Sequence, residues 1–223
     1  MDTPSYRQGF TRKELLVVLG ILVLGYFICG GVWNRDPVFQ KALSTSRTAR
    51  EIHWFLELWA ADHDEEFPTA QQFSNEAFRE LIKAGLVDNE KRFAIPGDPW
   101  HQNSPSGKGP DNNIGTAPEY AQALTRGECA FAYVSGLNRK SDPKLPLLAN
   151  AFTGSTGVYT DSKSHKGGVF QGERCVWITV GGSARVGDLN SDFRVVEKKG
   201  SKTVDVFSKE WGTNPDNIKN PEG

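Results

Sequence analysis

The segment Gly9–Trp33, GFTRKELLVVLGILVLGYFICGGVW, decides how the rest of the chain is read. From Leu15 to Trp33 it holds nineteen residues without one Asp, Glu, Lys or Arg. At the helical rise that is enough to cross a hydrocarbon core of about 30 Å. A single acid, Glu14, stands at the threshold of the run beside Arg12 and Lys13, where an unpaired carboxylate is costly.

Outward from this segment, the 223-residue chain carries a net charge of −1. Arg7, Arg12 and Lys13 against Asp2 and Glu14 leave +1 ahead of the apolar run, and −2 remains for everything after it. That balance excludes a polyanion-binding module by bulk charge, so no nucleic acid is expected as a partner. The basic flank predicts a cytoplasmic N-terminus and an exported remainder. The expectation is a single-pass protein of a bacterial inner membrane with a periplasmic domain. No small-residue cleavage site follows the apolar run, which argues against a cleaved secretory signal.

The text Gly9-Phe10-Thr11, then Glu14-Leu15-Leu16-Val17-Val18, resembles the leader of type IV pilins and type II secretion pseudopilins. Arg12 and Lys13 stand where that family has apolar residues. The resemblance implies cutting between Gly9 and Phe10 by a prepilin peptidase and N-methylation of the new Phe10 terminus. It also implies Glu14 as the assembly residue, its carboxylate paired with a neighbouring subunit's amino terminus. The partners implied are the inner membrane, the peptidase and other pilin-like subunits, in a type II secretion pseudopilus or a type IV pilus-like fibre.

The implied fold is α+β: a long N-terminal helix, with a membrane half and an amphipathic half, packed on a small antiparallel β-sheet. In domain terms this gives a leader at 1–9, a transmembrane half-helix at 10–33, its amphipathic continuation at 34–67 and a globular domain at 68–223. Periodicity supports the second half, because Ala42, Ser46, Ala49, Ile52, Leu56, Trp59 and His63 recur at threes and fours. Gly30-Gly31 and Pro37 predict a kink between the halves.

Beyond Pro68, Ser74 is read as the cap of a helix running to about Ala84, with Thr69 and Gln72 at capping-box spacing and Gly85 as its stop. Gly, Pro, Asn and Ser predict a long surface loop over Pro96–Pro118. Strand composition marks Glu128–Ser135, Leu147–Phe152 and Arg174–Val180, the last alternating Cys175, Trp177 and Thr179 against Val176, Ile178 and Val180. Gly181-Gly182 signals a hairpin into Ala184–Val186. Val204–Phe207 reads as an edge strand and Trp211–Gly223 as a loose tail. His165-Lys166-Gly167-Gly168 with the following strand and Gly-Gly turn resembles pilin-like proteins common in planctomycetes and verrucomicrobia.

No catalytic motif is visible: there is no nucleophile elbow, phosphate loop, dinucleotide fingerprint or H-E-x-x-H. The reading is therefore not an enzyme, with no cofactor, no metal site and no small-molecule substrate. Asp188, Asn190 and Asp192 copy the start of a calcium loop, but Phe193 and Lys199 occupy the positions of its glycine and closing glutamate. Cys129 and Cys175 lie in strand-like text, either as a disulfide or as two buried thiols. The alternative function is a signal-anchored periplasmic binding or enzymatic domain that does not polymerise, for which a deep pocket joining His165 to an acid and a hydroxyl would be the mark.

Overall fold

A computed structural model describes residues 11–33, 36–154 and 156–223, and the side chains among them except those of 27–33. The chain divides into two compact units, Met1–Pro37 and Val38–Gly223. The first contains helix α1, Arg12–Trp33.

The second unit is built on a five-stranded antiparallel sheet of spatial order β4-β3-β2-β1-β7. Its strands are β1 (Phe131–Val134), β2 (Pro146–Asn150), β3 (Arg174–Thr179), β4 (Ala184–Asp188) and β7 (Ile218–Lys219). A separate two-stranded sheet pairs β5 (Val196–Lys199) with β6 (Lys202–Asp205). Helices α2 (Pro37–Ala61) and α3 (Ser74–Lys83) complete it.

Side chains alternate across a pleated strand, and here both faces are covered. Phe131, Tyr133, Leu148, Val176 and Ile178 join one core cluster with Ala49, Ile52 and Leu56 of α2 and Phe78, Leu81 and Ile82 of α3. Ala132, Ala149, Cys175 and Trp177 face the other way, against Phe152, Tyr159, Val206 and Phe207. The alternation read in β3 thus separates two cores rather than a core from solvent.

Two expectations are corrected. The α+β fold with one long N-terminal helix on a small sheet gives way to separate helices, because α1 and α2 are distinct elements and α2 opens at Pro37. Proline's fixed φ and missing N–H suit the first turn of a helix, where that donor has no partner anyway, so the residue starts a helix instead of kinking one. The single-pass inner-membrane placement is corrected as well: among the described residues no helix is long and apolar enough to cross a membrane.

Smaller differences have local causes. Trp59 packs half-buried against the core beside Ala60, the last buried residue of α2, whereas His63 is exposed and stacks its ring on Trp59 at 3.6 Å. Ser74 does not cap α3. Its hydroxyl donates to Phe131 O at 2.7 Å, and the cap is supplied by the Glu76 carboxylate, which accepts from the N–H of Gln71 at 2.6 Å and of Gln72 at 3.2 Å. Gly85 ends the helix in the left-handed region at φ 69°, as a glycine there can without strain.

The 96–118 loop is anchored rather than free: Asp98 caps a 3-10 turn at Pro99–Asn103, and buried His101 bonds through Nδ1 to Gly127 O at 2.9 Å. Among the described residues β6 pairs only with β5, not with the main sheet. The tail is tied down, for β7 extends the sheet beside β1. Asn220 there accepts from Phe152 N–H at 3.0 Å and donates to Phe152 O at 3.0 Å and Thr153 O at 3.2 Å.

Cys129 and Cys175 are free and buried. They belong to the clusters on opposite faces of the sheet, so the disulfide left open by the sequence does not form.

Candidate functional site

Of the residues singled out from the leader, Gly9 and Phe10 lie outside the described residues, and Glu14 lies in the first turn of α1. Its geometry is a reciprocal cap. Glu14 Oε2 accepts from Thr11 N–H at 2.8 Å and from Thr11 Oγ1 at 2.9 Å, while Thr11 Oγ1 accepts from Glu14 N–H at 3.3 Å. Thr-x-x-Glu at a helix start satisfies orphan backbone donors in this way. The Thr11 N–H, and next the Thr11 hydroxyl, hold the Glu14 carboxyl below its ordinary value. The anion also offsets Arg12 and Lys13, cations at the positive end of the helix dipole.

Beyond this cap the helix is apolar and bare. Every large side chain described from Leu15 to Tyr26 is exposed, from 41% at Val18 to 76% at Tyr26. A Cβ added at Gly20 or Gly25 would meet nothing within 4 Å. The apolar surface goes around the helix rather than along one stripe, which is the pattern of a helix covered on all sides.

Comparison with protein-family models, curated proteins and solved structures returns no match. The chemistry must therefore be read from the chain's own side chains.

The His165 segment is the second candidate. It borders an open cleft of about 710 Å³ that also touches Phe73, Trp100, Ser162, Lys166 and Asn220. His165 Nδ1 lies 2.7 Å from Ser162 Oγ and 3.2 Å from Ser164 Oγ. A hydroxyl is thus gathered, but among the described residues no acidic side chain lines the cleft.

The glycines of this segment have a structural reason. A Cβ on Gly168 would fall 1.9 Å from Ser162 O, and one on Gly167 would fall 2.8 Å from Thr153 N, at φ 85°. Lys166 crosses the Trp100 ring at 4.6 Å and donates to Pro221 O at 2.7 Å. The His165–Gly168 motif therefore knots the 152–168 loop to the C-terminal tail.

The calcium-loop imitation is spent on a turn. Asn190 Oδ1 accepts from Asp192 N–H at 3.0 Å and Arg194 N–H at 2.9 Å, and Asp188 meets Arg174 Nη1 at 2.6 Å. The acids after α2 are likewise engaged: Glu65 pairs with Lys140 at 3.0 Å, and Glu66 accepts from Asn138 Nδ2 at 3.1 Å. Sequence reasoning missed one constellation, in which Glu90, Asp111 and Glu128 converge. Spread over three segments, it leaves no motif to find.

Proposed function

We propose that this chain is a structural, pilin-like subunit, cut after Gly9 by a prepilin peptidase and joined through α1 to other pilin-like subunits. The assembly is a type II secretion pseudopilus or a type IV pilus-like fibre. The leader text Gly9-Phe10-Thr11 with Glu14 supports the processing. The observation that carries the assembly is the bare apolar surface of α1 between Leu15 and Tyr26.

The energetics favour a helix that finds cover in neighbouring copies. Burying one Leu, Ile or Val side chain gains about 1.5–3 kcal/mol, and α1 presents such side chains in nearly every position. Most of a helix's stability in a protein comes from packing its apolar side chains, so packing against like helices stabilises both its fold and its contacts. Covering the helix start also removes water from Glu14. An uncompensated carboxylate there is unfavourable, and a neighbour's amino terminus at Phe10 supplies the opposite charge.

The test is the intact mass of the protein expressed beside a prepilin peptidase. The expected product begins at N-methylated Phe10. A chain that keeps Met1–Gly9 under those conditions overturns the reading.

A further inference from the structure

Three carboxylates from separate segments meet beside the anchored loop. Glu90 opens the 3-10 turn Glu90–Phe93, Asp111 lies in the 96–118 loop, and Glu128 precedes β1. One oxygen from each lies within 4.8 Å of the others. Glu90 and Glu128 are 0% and 1% exposed, whereas Asp111 reaches solvent.

Acidic clusters are common on protein surfaces, and most hold nothing. This one differs in a specific atom. Glu90 Oε1 accepts the Leu124 N–H, but Glu90 Oε2 is buried and has no hydrogen-bond partner among the described residues. A buried carboxylate oxygen without a partner is strongly unfavourable unless something positive meets it. Glu128 is better served, since its Oε2 accepts both Thr125 N–H and Thr125 Oγ1 at 2.7 Å.

The charges make the same point. Burial pushes the Glu90 carboxyl above its ordinary value, the Leu124 N–H opposes this, and the negative charges of Glu128 and Asp111 push it further. Burial, with Asp111 adding, raises Glu128 as well. The charged groups acting on the pair are thus all acidic.

We propose that Glu90, Asp111 and Glu128 bind one hard divalent cation, calcium foremost, which fastens the 96–118 loop to the core. The donors are all carboxylate oxygens, with no thiolate or imidazole, so a hard ion is favoured over zinc or copper. Oxygens within 4.8 Å of one another can close on one ion at calcium–oxygen distances of about 2.3–2.6 Å. Magnesium, at about 2.0–2.1 Å with strict octahedral geometry, fits that spread less well. Asp111 at the surface gives the ion its path in and leaves room for water ligands. The site does not depend on the pilin-like reading, and its test is separate from the mass measurement above.

The experiment titrates the full-length protein with CaCl2 by calorimetry, and follows thermal unfolding and protease cutting within the 96–118 loop, in EDTA and in CaCl2. Expected are one calcium per chain, a higher Tm and slower cutting of the loop, with MgCl2 weaker. Asp111→Asn, an exposed change that spares the core, should weaken calcium binding by about tenfold or more while leaving the Tm in EDTA equal or higher. The proposal is overturned if no heat or Tm shift appears at calcium on the order of 1 mM, or if Asp111→Asn binds as the parent does. It is overturned too if Tm rises on acidification identically with and without calcium, which would show that protons alone neutralise the cluster.

Discussion

Thr11 and Glu14 cap α1 reciprocally: the Glu14 carboxylate accepts the Thr11 N–H at 2.8 Å, and the Thr11 hydroxyl accepts the Glu14 N–H at 3.3 Å. One side chain thus serves its own helix and, in the proposed assembly, a neighbour's charge. Glu14→Gln separates the two roles, because glutamine keeps the capping geometry and loses the charge. The expected result is unchanged amide-exchange protection in the first turn of α1 together with reduced crosslinking between copies. Glu14→Val should lose both. Crosslinking by Glu14→Gln equal to the parent would leave Glu14 a cap and nothing more.

Gly168 tolerates no side chain, because its Cβ would sit 1.9 Å from Ser162 O, a backbone atom that cannot swing aside. Gly168→Ala should lower stability by about 2–4 kcal/mol, read as a lower urea midpoint. A midpoint within error of the parent would show that the 162–168 loop is not built as described.

Asn220 makes three hydrogen bonds across to residues 152 and 153. Asn220→Ala leaves those backbone groups seeking partners and should cost about 2–3 kcal/mol. Hydrogen exchange should then quicken at Phe152 and along β7. Unchanged exchange there would mean that the tail is loose after all.

Both thiols of the sheet are buried, and desolvation raises them, Cys129 to about 12 and Cys175 higher still. Alkylation at pH 8 should therefore spare Cys129 and Cys175 in the native protein and modify both in urea, since thiolate is the reactive form. Peptide mass mapping gives the answer directly. Rapid native labelling at either position would contradict its burial.

Acidification should stabilise the protein when calcium is chelated. Glu90 and Glu128 have folded-state values raised above those of the unfolded chain, so the folded form binds more protons between the two. Their contribution is fully present below the ordinary glutamate value and is lost as pH rises through the raised one. Buried Asp98 is raised too, chiefly by desolvation, and acts in the same direction from the ordinary aspartate value upward. Urea midpoints in EDTA should decline from pH 4.5 towards pH 7, and Glu90→Gln should flatten that decline. A midpoint rising over this range would reverse the sign and refute it.

The sequence alone determined what is local. The left-handed stop at Gly85, the alternation of Val176 and Ile178 against Cys175 and Trp177, and the apolar text after Glu14 are each encoded within a few residues. Spacing at 2 or 3.6 reports them directly. The leader resemblance is of the same kind, a short string read in place.

Tertiary structure alone decided what depends on residues distant in the chain. It used both faces of the sheet, which put Cys129 and Cys175 on opposite sides. It bound Asn220 to Phe152 and drew Glu90, Asp111 and Glu128 together. Periodicity says which side of an element is apolar but not what will cover it, and three acids in three unrelated segments share no spacing. Their convergence follows from how the 3-10 turn Glu90–Phe93, the anchored loop and the segment before β1 pack, and the demand of Glu90 Oε2 for a positive partner arises only after that packing has removed water.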